Sequence, residues 1–573
     1  MNTSRPAQLR RIAACTAVAL AAGALLAGPA TAAGSADRPH AAADRSVPSL
    51  DARPKLELPQ GAARGTFAAG ADGAAPRYDF DADGQADILY RAIDGHYYIA
   101  RPHLGIDDVE LTLGENENVD YKDVIPVGRV DADRYGDLLT LTTDGRLSLY
   151  RGKSAANTDF TPVWSGGGWH GFNKVLSPGD LTGDGKADVL ARTHDGVLYL
   201  YQGTGSLTTP FKTALKIGGG WQYYDHLVGT NDVNGDKIAD MVARDTTGNL
   251  FTYLGTGQAA APFKPALKTG TGFGIYNQIV GVEDISGDGL GDLMARTTSG
   301  QIYSYAANGS GGFKARLAGA TGFNYITQFA AQGGVPDFGR TELLARDTAG
   351  TLFWYYSKNN GTLSKREQIS KTGGWKDARI TFASALAHNN SGDLLQIAND
   401  KLYVNGDALT SGWNIYNHLV GPGDVSGDGK GDLLARDKNG VLYLYQGNGA
   451  GTGFKTRVKV GAGWNGFTKI TGAGDLTGDG RGDLLARAAN GDLYVYPGTG
   501  QAGYPFKKGI KAGTGYGIYK QLVVAGDLTG DGRADVLATD AAGTLWRYDS
   551  YGNAKLTART KIGTGYQIYS NLY

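Results

Sequence analysis

Asp180-Leu181-Thr182-Gly183-Asp184-Gly185-Lys186-Ala187-Asp188 decides how the rest of the chain is read. Side-chain oxygens at positions 1, 3, 5 and 9 converge on one point if the Gly at position 6 turns the backbone sharply, and position 7 adds a carbonyl. No His or Cys joins the set, and hard oxygen donors select Ca²⁺ over zinc or copper. Position 12, the Glu of a helix-loop-helix calcium site, is Ala191 here. The flanks read as strands, so the loop is of another kind.

The loop recurs in phase. Complete copies are Asp79, Asp81, Asp83, Asp87; Asp180, Thr182, Asp184, Asp188; Asp284, Ser286, Asp288, Asp292; Asp424, Ser426, Asp428, Asp432; Asp475, Thr477, Asp479, Asp483; and Asp527, Thr529, Asp531, Asp535. A variant, Asp232, Asn234, Asp236, Asp240, keeps the ligands but carries Lys237 where Gly is expected, which predicts weaker binding. Six to seven structural Ca²⁺ sites follow. Eroded copies start at Arg129, Gly334 and Ala385; the first has lost position 1, and no calcium is expected at the other two. Successive starts lie 50, 51, 52, 52, 50, 51, 39, 51 and 52 residues apart. Ten copies cover residues 78–573.

Each copy reads as four strands. A short apolar strand, Ala187–Arg192, meets an Asx-Gly turn such as Asp195-Gly196 or Asn439-Gly440, read as a two-residue hairpin loop. Val197 to Tyr201 then alternates, placing its tyrosines on one face. A third strand ends in Gly-Gly-Gly-Trp221, and Tyr224–Gly229 leads into the next acidic loop. The predicted fold is an all-β propeller of four-stranded blades. The chain stops at the segment that elsewhere precedes an acidic loop, so the last strand is expected to complete the first blade. Copies five apart match best: Gly255-Thr256-Gly257-Gln258-Ala259 returns as Gly498-Thr499-Gly500-Gln501-Ala502. This favours two five-bladed rings, residues 78–332 and 333–573, over one ten-bladed ring or a seven-bladed ring plus three.

Residues 1–32 read as an export signal: Arg5, Arg10 and Arg11 precede an apolar run from Ile12 to Ala27, and Ala30-Thr31-Ala32 supplies the cleavage site. Residues 33–77 read as a flexible linker. Cleavage after Ala32 removes Cys15, the only cysteine, so a secreted chain of this size needs a staple other than disulfides. Bound metal is the natural one. The formal net charge of zero argues against nucleic acid, and no later stretch is apolar enough for stable membrane insertion.

Strand–DxDxDGxxD–strand repeats preceded by a Gly-aromatic segment resemble the FG-GAP/VCBS family, the calcium-loop repeats of integrin-α-like propellers. The resemblance implies a β-propeller, most often seven-bladed. Related secreted propellers include sugar-binding lectins, adhesion modules and targeting domains of cell-wall enzymes.

Two further features keep the beat. An aromatic follows Gly at Trp169, Trp221, Phe273, Phe323, Trp375, Trp413, Trp464, Tyr516 and Tyr566. Inter-blade packing is the first reading; within a lectin reading, Trp169, Trp221, Trp413 and Trp464 are the sugar platforms. A repeated Arg (Arg192, Arg244, Arg296, Arg346, Arg436, Arg487) is read as structural, paired with the acidic loop or an aromatic.

Catalytic signals are missing from the sequence: no H-E-x-x-H, no G-x-S-x-G, and no cysteine nucleophile. His40, His96, His103, His170, His194, His226, His388 and His418 follow no metal-ligand spacing and read as isolated surface or loop residues. Asp107, Asp108, Glu110, Glu115 and Glu117 cluster out of phase and read as a solvated loop. The expected function is a secreted, calcium-binding propeller that is not an enzyme and recognises glycans in a lectin-like way. The alternatives are a propeller glycoside hydrolase or lyase with channel carboxylates, and a protein-binding targeting subunit of a toxin or adhesion assembly. An unphased acidic pair facing the channel favours the first alternative, one apolar patch over the eroded blades 6 and 7 the second, and Trp-lined pockets repeated between blades the lectin.

Overall fold

Hydrogen bonds pair the short strands of each repeat into a four-stranded antiparallel sheet, giving ten sheets in a computed structural model. The structure describes residues 54–56, 77–113, 121–131, 133, 135–152, 160–331, 341–383, 386 and 392–573. The signal, most of the linker and the eroded loops starting at Gly334 and Ala385 lie outside the described residues, as do Glu115 and Glu117.

One blade shows the plan. Phe172–Gly179 is innermost, followed outward by Asp188–Thr193, Leu198–Tyr201 and Leu215–Gly218. Val175 pairs with Ala191 and Leu190 with Leu200, so the apolar alternation of neighbouring strands is in register. The Asx-Gly hairpin differs from expectation. Thr193 N donates to Val197 O and Gly196 N to Thr193 O, closing a three-residue loop in which only Gly196 takes positive φ (82°). A normal turn followed by one left-handed Gly makes this connection, so the Asx residue need not leave ordinary φ.

The outer strand ends on a left-handed Gly220 (φ 96°), which turns the chain into a one-turn 3-10 helix, Trp221–Tyr223. This buries Trp221 and starts the next inner strand at Tyr224. Cores lie between neighbouring sheets. Leu176, Leu190, Leu198 and Leu200 of one sheet meet Leu227, Met241 and Ala243 of the next, with Trp221 among them. Each fully buried Leu contributes about 1.5–3 kcal/mol.

Strand exchange settles which repeats group together. Ile326–Phe329, from the end of the fifth repeat, pairs with Ile88–Ala92 of the first sheet. Tyr569–Leu572, the last strand of the chain, pairs with Glu342–Asp347 of the sixth sheet and not with the first. The expectation that the C-terminal strand completes the first blade is therefore corrected: each set of five repeats donates its last strand to its own first sheet. Two strands of like sequence compete for each vacancy, and linear order alone does not choose between them. The expected domain boundary at 332/333 falls outside the described residues.

The two halves touch head to tail. Loops of the second half meet the start of inner strands in the first: Asn173 Nδ2 donates to Asp479 O (3.0 Å) and Asn277 Nδ2 to Thr529 O (2.7 Å). Gln278 Nε2 donates to Gly530 O (3.2 Å), and Arg533 pairs with Asp225.

Candidate functional site

The acidic loops are organised by their own backbone. Asp180 accepts from Gly183 N through Oδ1 and from Gly185 N through Oδ2, both at 2.7 Å. Asp188 Oδ2 accepts from Leu181 N and Thr182 N at 3.0 Å, and its Oδ1 from Gly203 N at 3.0 Å. Gly185 has φ 77°, the left-handed conformation the motif requires. Lys237 holds the same place in the variant loop at φ 65° and still donates its N–H to Asp232 Oδ2 (2.7 Å). The turn forms there at a steric cost of about 1 kcal/mol.

The donor sets fit a hard cation. Carboxylate oxygens of Asp424, Asp428 and Asp432 lie within 4.8 Å of one another, as do those of Asp79, Asp81 and Asp83. Burial pushes Asp188 and Asp475 up to about 6, and Asp240, Asp292, Asp432 and Asp527 up to about 7, with neighbouring loop carboxylates adding to the effect. These groups resist ionising unless a cation joins them. The loop that begins at Arg129 has an internal substitute: the Arg151 guanidinium reaches Asp131 at 2.9 Å and Asp133 at 3.1 Å.

The repeated Arg does something the sequence reading missed. Arg192 Nε donates to Asn173 Oδ1 (3.0 Å), while Nη1 donates to Trp221 O (2.9 Å) and Tyr224 O (2.6 Å). Arg244 and Arg487 repeat this against the next 3-10 turn, and Arg346 against the non-helical turn at Trp375, donating to Trp375 O and Ala378 O. Arg436 donates to Trp464 O and Arg296 to Phe323 O in the same way. Each guanidinium thus satisfies carbonyls left open by a tight turn and ties one blade to the next. It is structural, as expected, but its partners are backbone carbonyls, not the acidic loop.

Trp169, Trp221, Trp413 and Trp464 are 3–8% exposed. The Trp221 ring lies 4.7 Å from Tyr253 and 6.0 Å from Phe263, and Trp413 lies 4.8 Å from Tyr445. Their faces are packed between blades, where no pyranose can stack. In five of the eight described 3-10 turns the residue two places on faces out instead: Tyr223, Ile275, Ile415, Ile518 and Ile568 are 39–71% exposed, whereas Tyr325 is buried and Gly171 and Gly466 carry no side chain. Spacing alone hid this, because the sequence marks the aromatic and not which end of the turn meets water.

A cavity of about 580 Å³ lies where the halves meet, lined by Lys174, Asp225, His226, Lys469 and Arg533 among others. Burial works to raise the Asp225 carboxyl, but Arg244, His226 and Arg533 outweigh it and hold it far below the usual range. That makes it a fixed anion, the opposite of a general acid. Burial and Arg244 push His226 down to about 4, and its Nδ1 lies 3.1 Å from Asp225 Oδ1 and 2.9 Å from Arg244 Nη2. Of the out-of-phase acids, Asp108 accepts from Tyr90 Oη and Glu110 meets His96, both at the outer side of the first sheet. Several histidines read as isolated are not: His226 is buried at this junction, His194 Nδ1 lies 2.9 Å from Asp479 O across it, His418 Nε2 lies 2.9 Å from Ile470 O, and His103 joins the first acidic loop.

Residues 129–191, 180–243, 424–486 and 475–538 match the family described as FG-GAP-like repeat. The matches form two pairs, one in each half, each pair sharing an acidic loop, and together they span less than half of the chain. FG-GAP-like repeats are propeller repeats, and the ten sheets agree with that architecture. No curated protein matches the chain. Among solved structures, the crystal structure of Sqt1 from Saccharomyces cerevisiae is 12% identical, covering 78% of this chain and 98% of that one, at a TM-score of 0.22. A likeness at that score carries no argument.

Proposed function

We propose that this chain, a β-propeller carrying FG-GAP-like repeats, is a secreted, calcium-stapled binding module of two five-bladed rings that recognises an extracellular protein surface. The observation that supports the binding role is the repeated outward residue of the 3-10 turn, where Tyr223, Ile275, Ile415, Ile518 and Ile568 expose apolar side chains at one repeat position. Exposed aliphatic groups in a fixed array suit a protein partner, and several weak contacts on one rigid body add through avidity. Asp180, Asp232, Asp284, Asp424, Asp475 and Asp527 begin the loops that would hold Ca²⁺, which neutralises carboxylates the fold has buried together. The ion has no chemical role in this reading beyond stapling.

A glycan reading keeps one specific support: Tyr223 and Tyr504, 71% and 60% exposed, offer open rings for sugar stacking. The enzyme reading has weaker support: of the acids lining the cavity, Asp225 is held in an ion pair with Arg244, and Asp475, Asp527 and Asp531 belong to acidic loops.

The test compares wild type with an Ile415→Ser, Ile518→Ser, Ile568→Ser variant. Surface proteins of the producing cells are captured on each and identified by mass spectrometry, beside a glycan array run with and without chelator. Retention by wild type, loss in the variant and indifference to glycosidase treatment is expected. Array binding abolished by Tyr223→Ala would instead establish the glycan reading, and equal capture by both proteins would remove the rim from the mechanism.

A further inference from the structure

The first acidic loop lacks a hydrogen bond that six other copies make, as does the last loop, where Asp535 Oδ1 is likewise without a partner. What sets the first loop apart is the imidazole that comes with it. In six other copies the last Asp of the loop uses Oδ1 to accept the backbone N–H fifteen residues later. The pairs are Gly152 to Asp137, Gly203 to Asp188, Gly255 to Asp240, Ala307 to Asp292, Gly447 to Asp432 and Gly498 to Asp483, at 2.7–3.2 Å. Fifteen residues after Asp87 stands Pro102, which has no N–H to give. Asp87 is fully buried, and its Oδ1 has no hydrogen-bond partner. An orphaned buried carboxylate oxygen is costly and calls for another partner.

The next residue brings an imidazole to the place. His103 Nε2 lies 2.6 Å from Asp83 Oδ2, and its side chain is only 10% exposed. With the Nε2 proton donated to Asp83, the lone pair falls on Nδ1, and Nδ1 also has no partner. A carboxylate that fixes one ring nitrogen and leaves the other basic is the outer support that metal-binding histidines use. Asp81, Asp87 and His103 each bring a donor atom within 4.8 Å of the other two. Arg101 Nε, 3.2 Å from Asp81 Oδ2, offsets one of the four loop carboxylates, so a 2+ ion leaves the site near −1.

We propose that this loop is a transition-metal site of the zinc class, held by Asp81, Asp87 and His103 with Asp83 positioning the imidazole, and not a seventh calcium site. Imidazole nitrogen is a good ligand for Zn²⁺ and Co²⁺ and a poor one for Ca²⁺, so one Pro-His dipeptide changes the ion that the repeat prefers. The inference stands on this loop's own donor set and does not depend on calcium at the others.

The full-length secreted chain, stripped of metal and saturated with Ca²⁺, is titrated with Co²⁺ and with Zn²⁺, and bound metals are counted by elemental analysis. One Co²⁺ per chain with a visible ligand-field band, displaced by one Zn²⁺, is expected. His103→Ala should abolish that band, and Asp83→Asn should weaken binding by about 10–100-fold, both without changing the calcium count. Pro102→Gly, which restores an N–H to Asp87, should weaken Co²⁺ binding while raising no folding problem. Absence of Co²⁺ from calcium-saturated wild type would overturn the proposal, as would equal retention by His103→Ala. A calcium count of zero with Co²⁺ still bound would sink the calcium reading and leave this one standing.

Discussion

Lys237 shows what a single residue costs in this architecture. Its counterparts in the six complete loops are glycines because the backbone there must be left-handed, and Lys237 adopts φ 65° regardless. The hydrogen bonds of the loop override the steric preference: Gly235 N and Lys237 N both reach Asp232 at 2.7 Å. Lys237→Gly is therefore expected to stabilise the calcium-loaded protein by roughly 1 kcal/mol and to tighten calcium at this loop. Thermal melts with and without calcium check it. A fall in melting temperature would mean that the Lys side chain makes a contact worth more than the strain it imposes.

At the level of the element, the inner strands are the tightest part of the molecule, and glycine sets their spacing. A Cβ on Gly229 would stand 2.2 Å from Ser177 O, on Gly281 2.1 Å from Gly229 O, and on Gly472 2.2 Å from Gly421 O. Each obstacle is the backbone of the preceding inner strand, which has no side-chain rotamer with which to give way. Gly229→Ala should cost about 3 kcal/mol by forcing the two strands apart. Gly219→Ala, where a Cβ meets nothing, is the control. Equal urea midpoints for the two variants would refute a glycine-gauged spacing. These positions also mark how far the sequence could be read. The loop pattern, four strands per repeat and ten repeats were legible, because ligand spacing and alternation are local. The inner Gly was visible only as one more turn-like residue, since its partner lies a whole repeat away. Likewise the partner of Arg192 is the turn around Trp221, and the destination of Tyr569–Leu572 is a choice between two similar sheets. His103 was hidden for a like reason: the carboxylates it meets belong to the acidic loop on the far side of the Ile88–Ala100 hairpin, at a spacing no metal motif lists.

For the whole molecule, the two sets of acidic loops have different neighbours, and this would give bound calcium two different tasks. In the first half, Cβ atoms on Gly185 and Gly289 would meet nothing, so those loops face open space. In the second half, a Cβ on Gly429 would strike Asp144 Cα at 2.6 Å and one on Gly480 would strike Asn173 Cβ at 2.5 Å. The second set is thus pressed against the first half, with Asp479 O and Thr529 O bonded to Asn173 and Asn277 across the junction. A loop that loses its cation loses the shape that presents those carbonyls, so calcium in the second set should hold the halves together as well as staple its own blades. Chelation is expected to lower the melting temperature and to raise amide exchange at 427–430, 478–481 and 530–533 together with the facing strand starts near 173 and 277. Exchange at 183–186 should rise without any matching change in a partner segment. Arg533→Ala, which removes the ion pair to Asp225, should loosen the same junction with calcium still bound. Hydrogen–deuterium exchange read by mass spectrometry separates these outcomes. If chelation raises exchange equally in both sets of loops and leaves the segments near 173 and 277 protected, the junction does not depend on calcium.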